Sequence, residues 1–573
     1  MANNVGILHR YFNSQNLKLA WERVNRWQDK TVKDQFGIKT FRFNLDNNLI
    51  DLSELIISGK YVPSKPEKFF VPKSSKMQRT KTVLCIEDAL VYQAIANIIA
   101  ISAYDNVSKN NSFVFGSVLN PETKLGIEIF NSKNESNYFF FQFWKGLYLK
   151  FKDSVVKAIT EDRVTHKFVT DITGFFDSIP HYNLLEVLST EFKVEDEILD
   201  ILSDCFNSWS GTKFNSTPGV GIPQGPVPSH FFANLLLYPL DEKIVAEAYK
   251  YYRYMDDIHI YGYSESELLK VLVDIDSYLK GNALSLNAKK TTIESVVNDE
   301  TDSTIKDFIA IDLSYSELEE NGVEEVENTF SLDVLAEQDH SNLNHEPQHK
   351  IKTLTVEHEI ISFWENEIME VEKELPIYFK INEKGETVLK NKEIDNIDFR
   401  DTDFIRLSAK YGTSIKELRA FKEANPSENL LDYWKVAFKT FFWRADKLSL
   451  TLMQYRNNEN LKYFLMIELL PQFNSYEWVR HYIYSILGIS QTFTDKELRN
   501  VFKLLKTENS NFAKLSLYKL LIYHTDDKQF LSSVVKELGN ESNLYLRKSM
   551  LDYIRMKEEN QFTVTELMES FGL

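Results

Sequence analysis

Hydrophobic and polar residues follow different patterns in the two halves of the chain. Up to about residue 107, strand-like runs such as residues 68–73 alternate with helical ones, of which residues 89–99 are the most apolar. From about residue 350 onward, apolar residues recur at three-to-four spacing and strand signals become few, which is the pattern of amphipathic helices. The chain is therefore predicted to be of the α+β class, with a mixed first half followed by an all-α second half.

Three stretches of the helical half resemble one another. They begin at Asn474, Asn511 and Asn543, a spacing of roughly 35 residues that is typical of stacked helical hairpins. The pattern predicts a HEAT-like repeat domain.

A pair of adjacent acids lies between two strand-like runs in the middle of the chain. Strand-forming aromatic and β-branched residues flank Asp256 and Asp257 on both sides, which predicts a hairpin whose turn carries both carboxylates. Another acid, Asp171, follows a separate strand-like run. Carboxylates grouped in this way need a cation, and a hard divalent ion such as Mg²⁺ is the usual one. The alternative for either motif alone is an acid that caps a solvent-exposed turn.

Residues 108–150 are rich in aromatic side chains, with the densest run at residues 138–144. This run is expected to pack in a core. The alternative is a surface on which bases stack.

The composition agrees with a folded protein of two or three compact units. Of 573 residues, 43% are hydrophobic, so each unit can bury a core. Cys85 and Cys205 are the only cysteines, too few for a disulfide framework or a cysteine-built zinc site, and the cytoplasm is the expected compartment. The sequence has no recognisable leader, and no stretch is predicted to span a membrane.

The formal net charge of −18 is unevenly distributed. Acidic residues concentrate between residues 312 and 346, whereas lysines and an arginine recur between residues 60 and 81. A basic groove for nucleic acid can therefore coexist with an acidic total. The acidic segment itself is predicted to be a mobile linker or an inserted loop.

Several motifs occur in an order that resembles reverse transcriptases over roughly residues 40–300. They comprise two fingers blocks and the motifs A to D, at residues 61–79, 86–93, 171–177, 221–229, 254–257 and 284–291. The resemblance implies fingers and palm of a right-hand polymerase, in which two metal ions assist the joining of dNTPs. The predicted domains are fingers with an aromatic-rich insertion, palm, acidic linker and a helical repeat domain in place of a thumb, at residues 1–160, 161–310, 311–350 and 351–573.

The resemblance also implies roles for single residues in the metal site. The acids of motifs A and C, together with Ile172, would hold Mg²⁺ or Mn²⁺. A lysine of motif D would protonate the leaving pyrophosphate, and either Lys289 or Lys290 could be that residue, with Lys290 preferred. The predicted catalytic set is Asp171, Asp256, Asp257 and Lys290.

Five further residues are predicted to contact the substrate. Lys73 and Arg79 would neutralise the triphosphate, although solvated surface cations are the alternative. Phe176 stands where the family places an aromatic ring against the sugar 2′ position, which would favour deoxynucleotides, and a simple core phenylalanine is the alternative. Gln224 and the glycine after it would form a turn close to the nascent base pair, with the glycine allowing backbone approach, and Met255 is the fifth predicted substrate-binding residue.

The layout is most similar to bacterial abortive-infection and defence-associated reverse transcriptases. Several members of that group make DNA without a conventional template, some start from a protein hydroxyl so that the single-stranded product is covalently attached, and some form trimers or hexamers. Two alternatives stay open. One is a templated enzyme that copies a partner non-coding RNA, and the other is an inactive repeat scaffold that binds nucleic acid.

Overall fold

The computed structural model describes residues 2–27, 33–125, 138–296 and 346–543, apart from single positions within these ranges, and part of residues 546–557. The chain divides into two compact units. The first unit comprises residues 1–68 and 80–310, and the second comprises residues 69–79 and 311–573. The predicted acidic linker lies outside the described residues up to residue 345. The predicted domain limits at residues 160, 310 and 350 stay a prediction.

The first unit begins with four helices, a hairpin and a long central helix. These are α1 (Ala2–Phe12), α2 (Ser14–Asn25), α3 (Gln35–Arg42), α4 (Leu45–Ile57), β1 (Glu67–Pro72), β2 (Gln78–Val83) and α5 (Ile86–Val107). Helix α5 is apolar on nearly all sides and lies in the hydrophobic core, as expected for a helix surrounded by protein.

One helical stretch of the described residues, Ile86–Asn110, is long and apolar enough to cross a membrane by length and composition alone. This finding corrects the expectation that no such stretch exists. Of its most apolar window, 83% is buried inside the protein, which is the environment of a core helix.

The rest of the first unit is a four-stranded sheet with helices around it. The elements are α6 (Trp144–Thr160), β3 (His166–Thr170), α7 (Phe175–Ser178), α8 (His181–Thr190), α9 (Asp196–Trp209), α10 (Val227–Ala246), β4 (Lys250–Tyr254), β5 (Asp257–Gly262), α11 (Glu265–Gly281) and β6 (Thr292–Ser295). The strand order is β4-β5-β3-β6, and every described pairing is antiparallel. Apolar side chains of β3 and β5 share one hydrophobic core with those of α5 and α10, so the sheet packs against these helices.

The aromatic-rich segment is only partly a core element. Phe140 is buried and packs edge-on against Phe231 of α10, as predicted. By contrast, Phe139, Phe143 and Trp144 are 46%, 48% and 37% exposed. The core prediction therefore holds for only part of the run, and the base-stacking surface stays a prediction.

The second unit contains ten helices among the described residues, together with short 3₁₀ turns. They are α12 (Glu346–Glu374), α13 (Asp401–Leu418), α14 (Leu431–Thr440), α15 (Ala445–Leu452), α16 (Glu459–Tyr463), α17 (Leu470–Gln472), α18 (Glu477–Gly488), α19 (Asp495–Thr507), α20 (Asn511–His524) and α21 (Lys528–Asn540), with a π-helical segment at Phe464–Leu469. Two of the three repeat-like stretches coincide with α18 and α20, which pack together. The third lies partly outside the described residues, and the HEAT-like assignment stays a prediction.

The second unit is not purely helical, which corrects the all-α prediction. A small antiparallel hairpin pairs β7 (Phe379–Ile381) with β8 (Thr387–Leu389). Its turn contains Gly385 at a φ of +77° and is closed by hydrogen bonds to Asn382, a turn chemistry that favours a hairpin over continued helix.

The tip of the β1–β2 hairpin also belongs to the second unit. Phe69 is fully buried, and its ring stacks on Phe512 at 4.2 Å and on Trp478 at 5.8 Å between centroids. The Phe70 amide donates to the Glu477 carboxylate at 2.7 Å. The helices around α18 and α20 therefore hold this hairpin tip through aromatic stacking and a charged hydrogen bond.

Candidate active site

A tight turn joins β4 to β5, as the sequence predicts, but it carries only Asp256, and Asp257 is the first residue of β5. Tyr254 pairs with Asp257 at the end of the ladder, so the two-residue loop consists of Met255 and Asp256. Met255 adopts the left-handed conformation with φ of 57°, which is uncommon for a residue with a side chain. The surrounding contacts must therefore hold this turn in place.

Asp171 lies at the same end of the sheet. Strand β3 pairs with β5 so that Thr170 is opposite Ile258, and Asp171 follows Thr170 beside the start of β5. Asp171 is 8% exposed. Its Oδ2 accepts a hydrogen bond from Lys290 Nζ, whereas its buried Oδ1 has no hydrogen-bond partner.

The acids act electrostatically on one another. Burial raises the pKa of Asp256, and the Asp171 carboxylate raises it further. Burial and the neighbouring Asp256 raise the pKa of Asp257 to about 6. Carboxylates with raised pKa values are held closer together than their charges favour, which is an arrangement more typical of a functional site than of a surface turn.

Lys290 supplies the cation nearest to these acids. Backbone hydrogen bonds at 2.8 Å from Asn287 to the Asp171 carbonyl and at 2.9 Å from Lys290 to the Asn287 carbonyl set its segment beside the end of β3. Burial lowers the pKa of Lys290, but the hydrogen bond and charge of Asp171 outweigh that effect, and the pKa is raised overall. Lys289 is exposed. The contact with Asp171 thus distinguishes Lys290 from Lys289.

The acidic cluster has the donor chemistry that a divalent ion needs. Among the residues that the structure describes, no ready-made group of three or more His, Cys, Asp or Glu side chains that could hold a metal was found. However, the unpartnered buried oxygen of Asp171 and the mutually repelling Asp256 and Asp257 are all hard oxygen donors, which Mg²⁺ prefers. The chemistry of these residues fits the ion. Ile172 follows Asp171 in the chain and forms a backbone bridge with Leu286.

The predicted substrate residues of motifs A and B lie on adjoining backbone segments. Ile222 N–H donates to the Phe176 carbonyl at 2.9 Å, and Thr82 N–H donates to the Gln224 carbonyl at 3.0 Å. Phe176 is 8% exposed and its ring lies 5.0 Å from that of His230, so most of it packs in the core. Its role against the sugar stays a prediction.

Lys73 and Arg79 lie on the hairpin tip that belongs to the second unit. Lys73 is half-buried at the turn, where its N–H donates to the Met77 carbonyl at 2.7 Å, and Arg79 is exposed on β2. Their predicted contact with a triphosphate stays a prediction.

Sequence reasoning missed the residues that support the acidic turn from behind. Arg253, which precedes Tyr254, is 1% exposed and contacts Asp241 and Asn234 of α10. Gly116 touches the turn so closely that a Cβ there would lie 2.4 Å from the Met255 nitrogen. The signal was present for Arg253, because an arginine on the inward-facing positions of a strand must be paired.

Comparison with known proteins supports the same chemistry. Residues 124–357 match the family model described as reverse transcriptase (RNA-dependent DNA polymerase). This range contains motifs A to D but not Lys73 or Arg79. No curated protein matches the chain significantly.

Solved structures give only a weak likeness. Telomerase from Candida albicans in complex with a fragment of telomeric RNA is 8% identical, with 84% of this chain and 67% of that chain covered and a TM-score of 0.29. Apo telomerase from Candida tropicalis is 11% identical, with 89% and 69% covered and a TM-score of 0.30. Scores this low do not establish a shared overall fold. The family match covers residues 124–357, which is less than half of the chain, and indicates a reverse transcriptase domain there, the domain of a nucleotidyltransferase of the DNA polymerase type.

Proposed function

We propose that the protein polymerises dNTPs at the cluster formed by Asp171, Asp256 and Asp257. The observation that carries this proposal is the unpartnered buried oxygen of Asp171, at the same end of one sheet as two acids whose pKa values are raised. Ordinary structural acids are hydrogen-bonded when buried. The Asp171 oxygen that lacks such a partner is free to bind a cation.

The residues of the site would have two roles, metal binding and proton donation. A bound pair of divalent ions would activate the attacking 3′-hydroxyl and neutralise the triphosphate. Asp171, Asp256 and Asp257 would hold those ions, with Ile172 beside them. Lys290, whose pKa is raised, would donate a proton to the leaving pyrophosphate.

The substrate would be selected by residues of motifs A and B. The Phe176 ring would exclude a ribose hydroxyl, and the Gln224 loop, whose backbone is anchored on β2, would lie against the nascent base pair. Lys73 and Arg79 would neutralise the triphosphate charge. Met255 would contact the substrate from the catalytic turn.

We further infer that the enzyme acts in bacterial antiphage defence in the cytoplasm. Support comes from the sequence resemblance to abortive-infection reverse transcriptases and from a largely helical second unit, which we interpret as a HEAT-like repeat in place of a thumb. In this proposal synthesis needs no conventional template, starts from a protein hydroxyl and yields single-stranded DNA attached to the protein, in a trimer or hexamer.

A single experiment separates these features. Purified protein is incubated with dNTPs and Mg²⁺ or Mn²⁺, with and without added RNA, and the product is digested separately with nuclease and with protease before sequencing. Protein-attached DNA of no fixed sequence supports the proposal. A unique sequence complementary to a co-purified RNA supports the templated alternative, and the absence of any product in every condition contradicts polymerisation.

A further inference from the structure

We propose that Arg253 is a positioning residue for the catalytic turn: its buried guanidinium ties the Met255 carbonyl to α10 and thereby fixes the direction of the Asp256 and Asp257 carboxylates. This inference rests on the proposed function for its kinetic consequence. Its structural part, the local order of the turn, can be tested without any polymerase activity.

All three nitrogens of the Arg253 guanidinium donate hydrogen bonds. Nε and Nη2 donate to the two carboxylate oxygens of Asp241 at 2.8 and 2.5 Å. Nη1 donates to Asn234 Oδ1 at 2.8 Å and to the Met255 carbonyl at 2.8 Å. Tyr251 donates its hydroxyl to the same Asp241 carboxylate at 2.5 Å. Four of the five N–H groups are therefore engaged between α10 and the turn.

The network continues to the other side of the turn through Asn234. Its Nδ2 donates to the Gly116 carbonyl at 2.8 Å, and the Gly116 backbone touches Met255. The Phe115 amide also donates to the Arg253 carbonyl at 2.8 Å. The left-handed Met255 is thus enclosed by a fixed hydrogen-bond frame, as a strained residue at a functional site requires.

Burial makes this frame stiff. Arg253 and Asp241 are 1% and 2% exposed, and although burial opposes the charge on Arg253, the Asp241 carboxylate outweighs it and raises the pKa of the guanidinium. The guanidinium therefore stays charged. A cavity of about 40 Å³ adjoins it, lined by Asn110, Ser117 and Asn234 among others.

A lysine cannot reproduce the arrangement. It keeps the charge for Asp241 but offers one point donor in place of a planar fork, so the Asn234 and Met255 contacts cannot both be kept. Arg253→Lys should lower kcat roughly 10- to 100-fold, as expected for a small misplacement of reacting groups, and leave the dNTP KM unchanged. Amide hydrogen exchange in the segment from Tyr254 to Asp257 should become faster.

Arg23 offers a matched control in the same unit. It is also buried, at 6% exposure, and donates to a buried amide, Asn97, at 2.6 Å, but it makes no contact with the turn. Arg23→Lys should cost a similar amount of stability while it leaves kcat and exchange in the catalytic turn unchanged. Asn234→Ala provides a milder second variant, because it removes one link of the frame and leaves the Asp241 pair intact.

The outcomes are distinct. Slower turnover with faster exchange in the turn, for Arg253→Lys and Asn234→Ala but not for Arg23→Lys, supports the proposal. Unchanged exchange and unchanged kcat per folded molecule in both variants would overturn it. If the wild-type protein polymerises nothing, the proposed function fails, while the exchange measurement still decides whether Arg253 orders the turn.

Discussion

Gly116 is the position where the smallest change should have a large effect on catalysis. A Cβ built at this residue would lie 2.4 Å from the Met255 nitrogen, 2.8 Å from Met255 Cγ and 3.1 Å from the Tyr254 carbonyl carbon. Two of these atoms are backbone, so rotation of a side chain cannot relieve the clash. Because ordinary contact begins at 3.4 Å, Gly116→Ala must push the turn or its own segment by about 1 Å.

A displacement of that size is costly for aligned reacting groups. We expect Gly116→Ala to reduce kcat on the order of 100-fold, since a misplacement of about 1 Å has that effect, which corresponds to about 2.7 kcal/mol of activation free energy. Overpacking should also lower the free energy of unfolding by about 1–3 kcal/mol. The assay is steady-state dNTP incorporation at matched folded protein concentration, with urea denaturation alongside.

Gly146 serves as the matched control, because a Cβ there would meet no atom within 4 Å. Gly146 lies inside helix α6, where alanine is preferred to glycine, so Gly146→Ala should raise the free energy of unfolding by roughly 0.5–1 kcal/mol and leave kcat unchanged. A Gly116→Ala protein with wild-type kcat and wild-type stability would refute the steric reasoning and the support of the turn from this side.

Three further predictions follow from the site and from the second unit. In the metal-free protein, the raised pKa of Asp257 means that its negative charge destabilises the folded state. This destabilisation is absent below about pH 4 and fully present above about pH 6. Asp257→Asn should therefore raise Tm at pH 7, and an unchanged Tm would contradict this. Lys290→Gln should slow incorporation whereas Lys289→Gln should not, because only Lys290 contacts Asp171, and equal rates would remove the distinction. Phe69→Ala should cost about 3–5 kcal/mol in urea unfolding, as expected for a buried aromatic ring, whereas the 85% exposed Phe43 should tolerate alanine; equal effects would argue against the stacked hairpin tip.

The turn and its flanking strands could be predicted from the sequence because their signals are local. Strand-forming residues on both sides of Asp256 and Asp257 specify a hairpin, and the loop is as short as the pattern requires. Asp171 could be added because its motif ends a strand. The pairing of β3 with β5, which brings Asp171 beside the turn, could be inferred only from the family resemblance, since strand pairing at this separation leaves no local trace.

The support behind the turn could not be predicted in the same way. Gly116 lies within the aromatic-rich segment with nothing in its neighbours to mark it, and its close approach to Met255 accompanies a bridge between Val114 and Arg253 that joins distant parts of the chain. Arg253 was interpretable as an inward-facing strand residue, but its partner Asp241 lies on the far end of an apolar helix. Non-local polar contacts of this kind depend on the assembled core.

The second unit shows a similar limit. Apolar spacing predicted its helices, yet the tip of the β1–β2 hairpin also belongs to this unit, although more than two hundred residues separate it from the helices in sequence. By its sequence pattern, Phe69 is an ordinary strand residue. Its stacking on Phe512 and Trp478 depends on the assembled tertiary structure and leaves no signal in the local sequence.

The most direct test of the whole account is metal-dependent incorporation of labelled dNTPs by the wild-type protein and by Asp171→Asn. The substitution keeps the size of the side chain and removes the charge that faces Lys290. The account predicts incorporation that requires Mg²⁺ or Mn²⁺ in the wild type and none above background in Asp171→Asn, with both proteins folded. Equal incorporation by the two proteins would contradict the assignment of this cluster as the polymerase site.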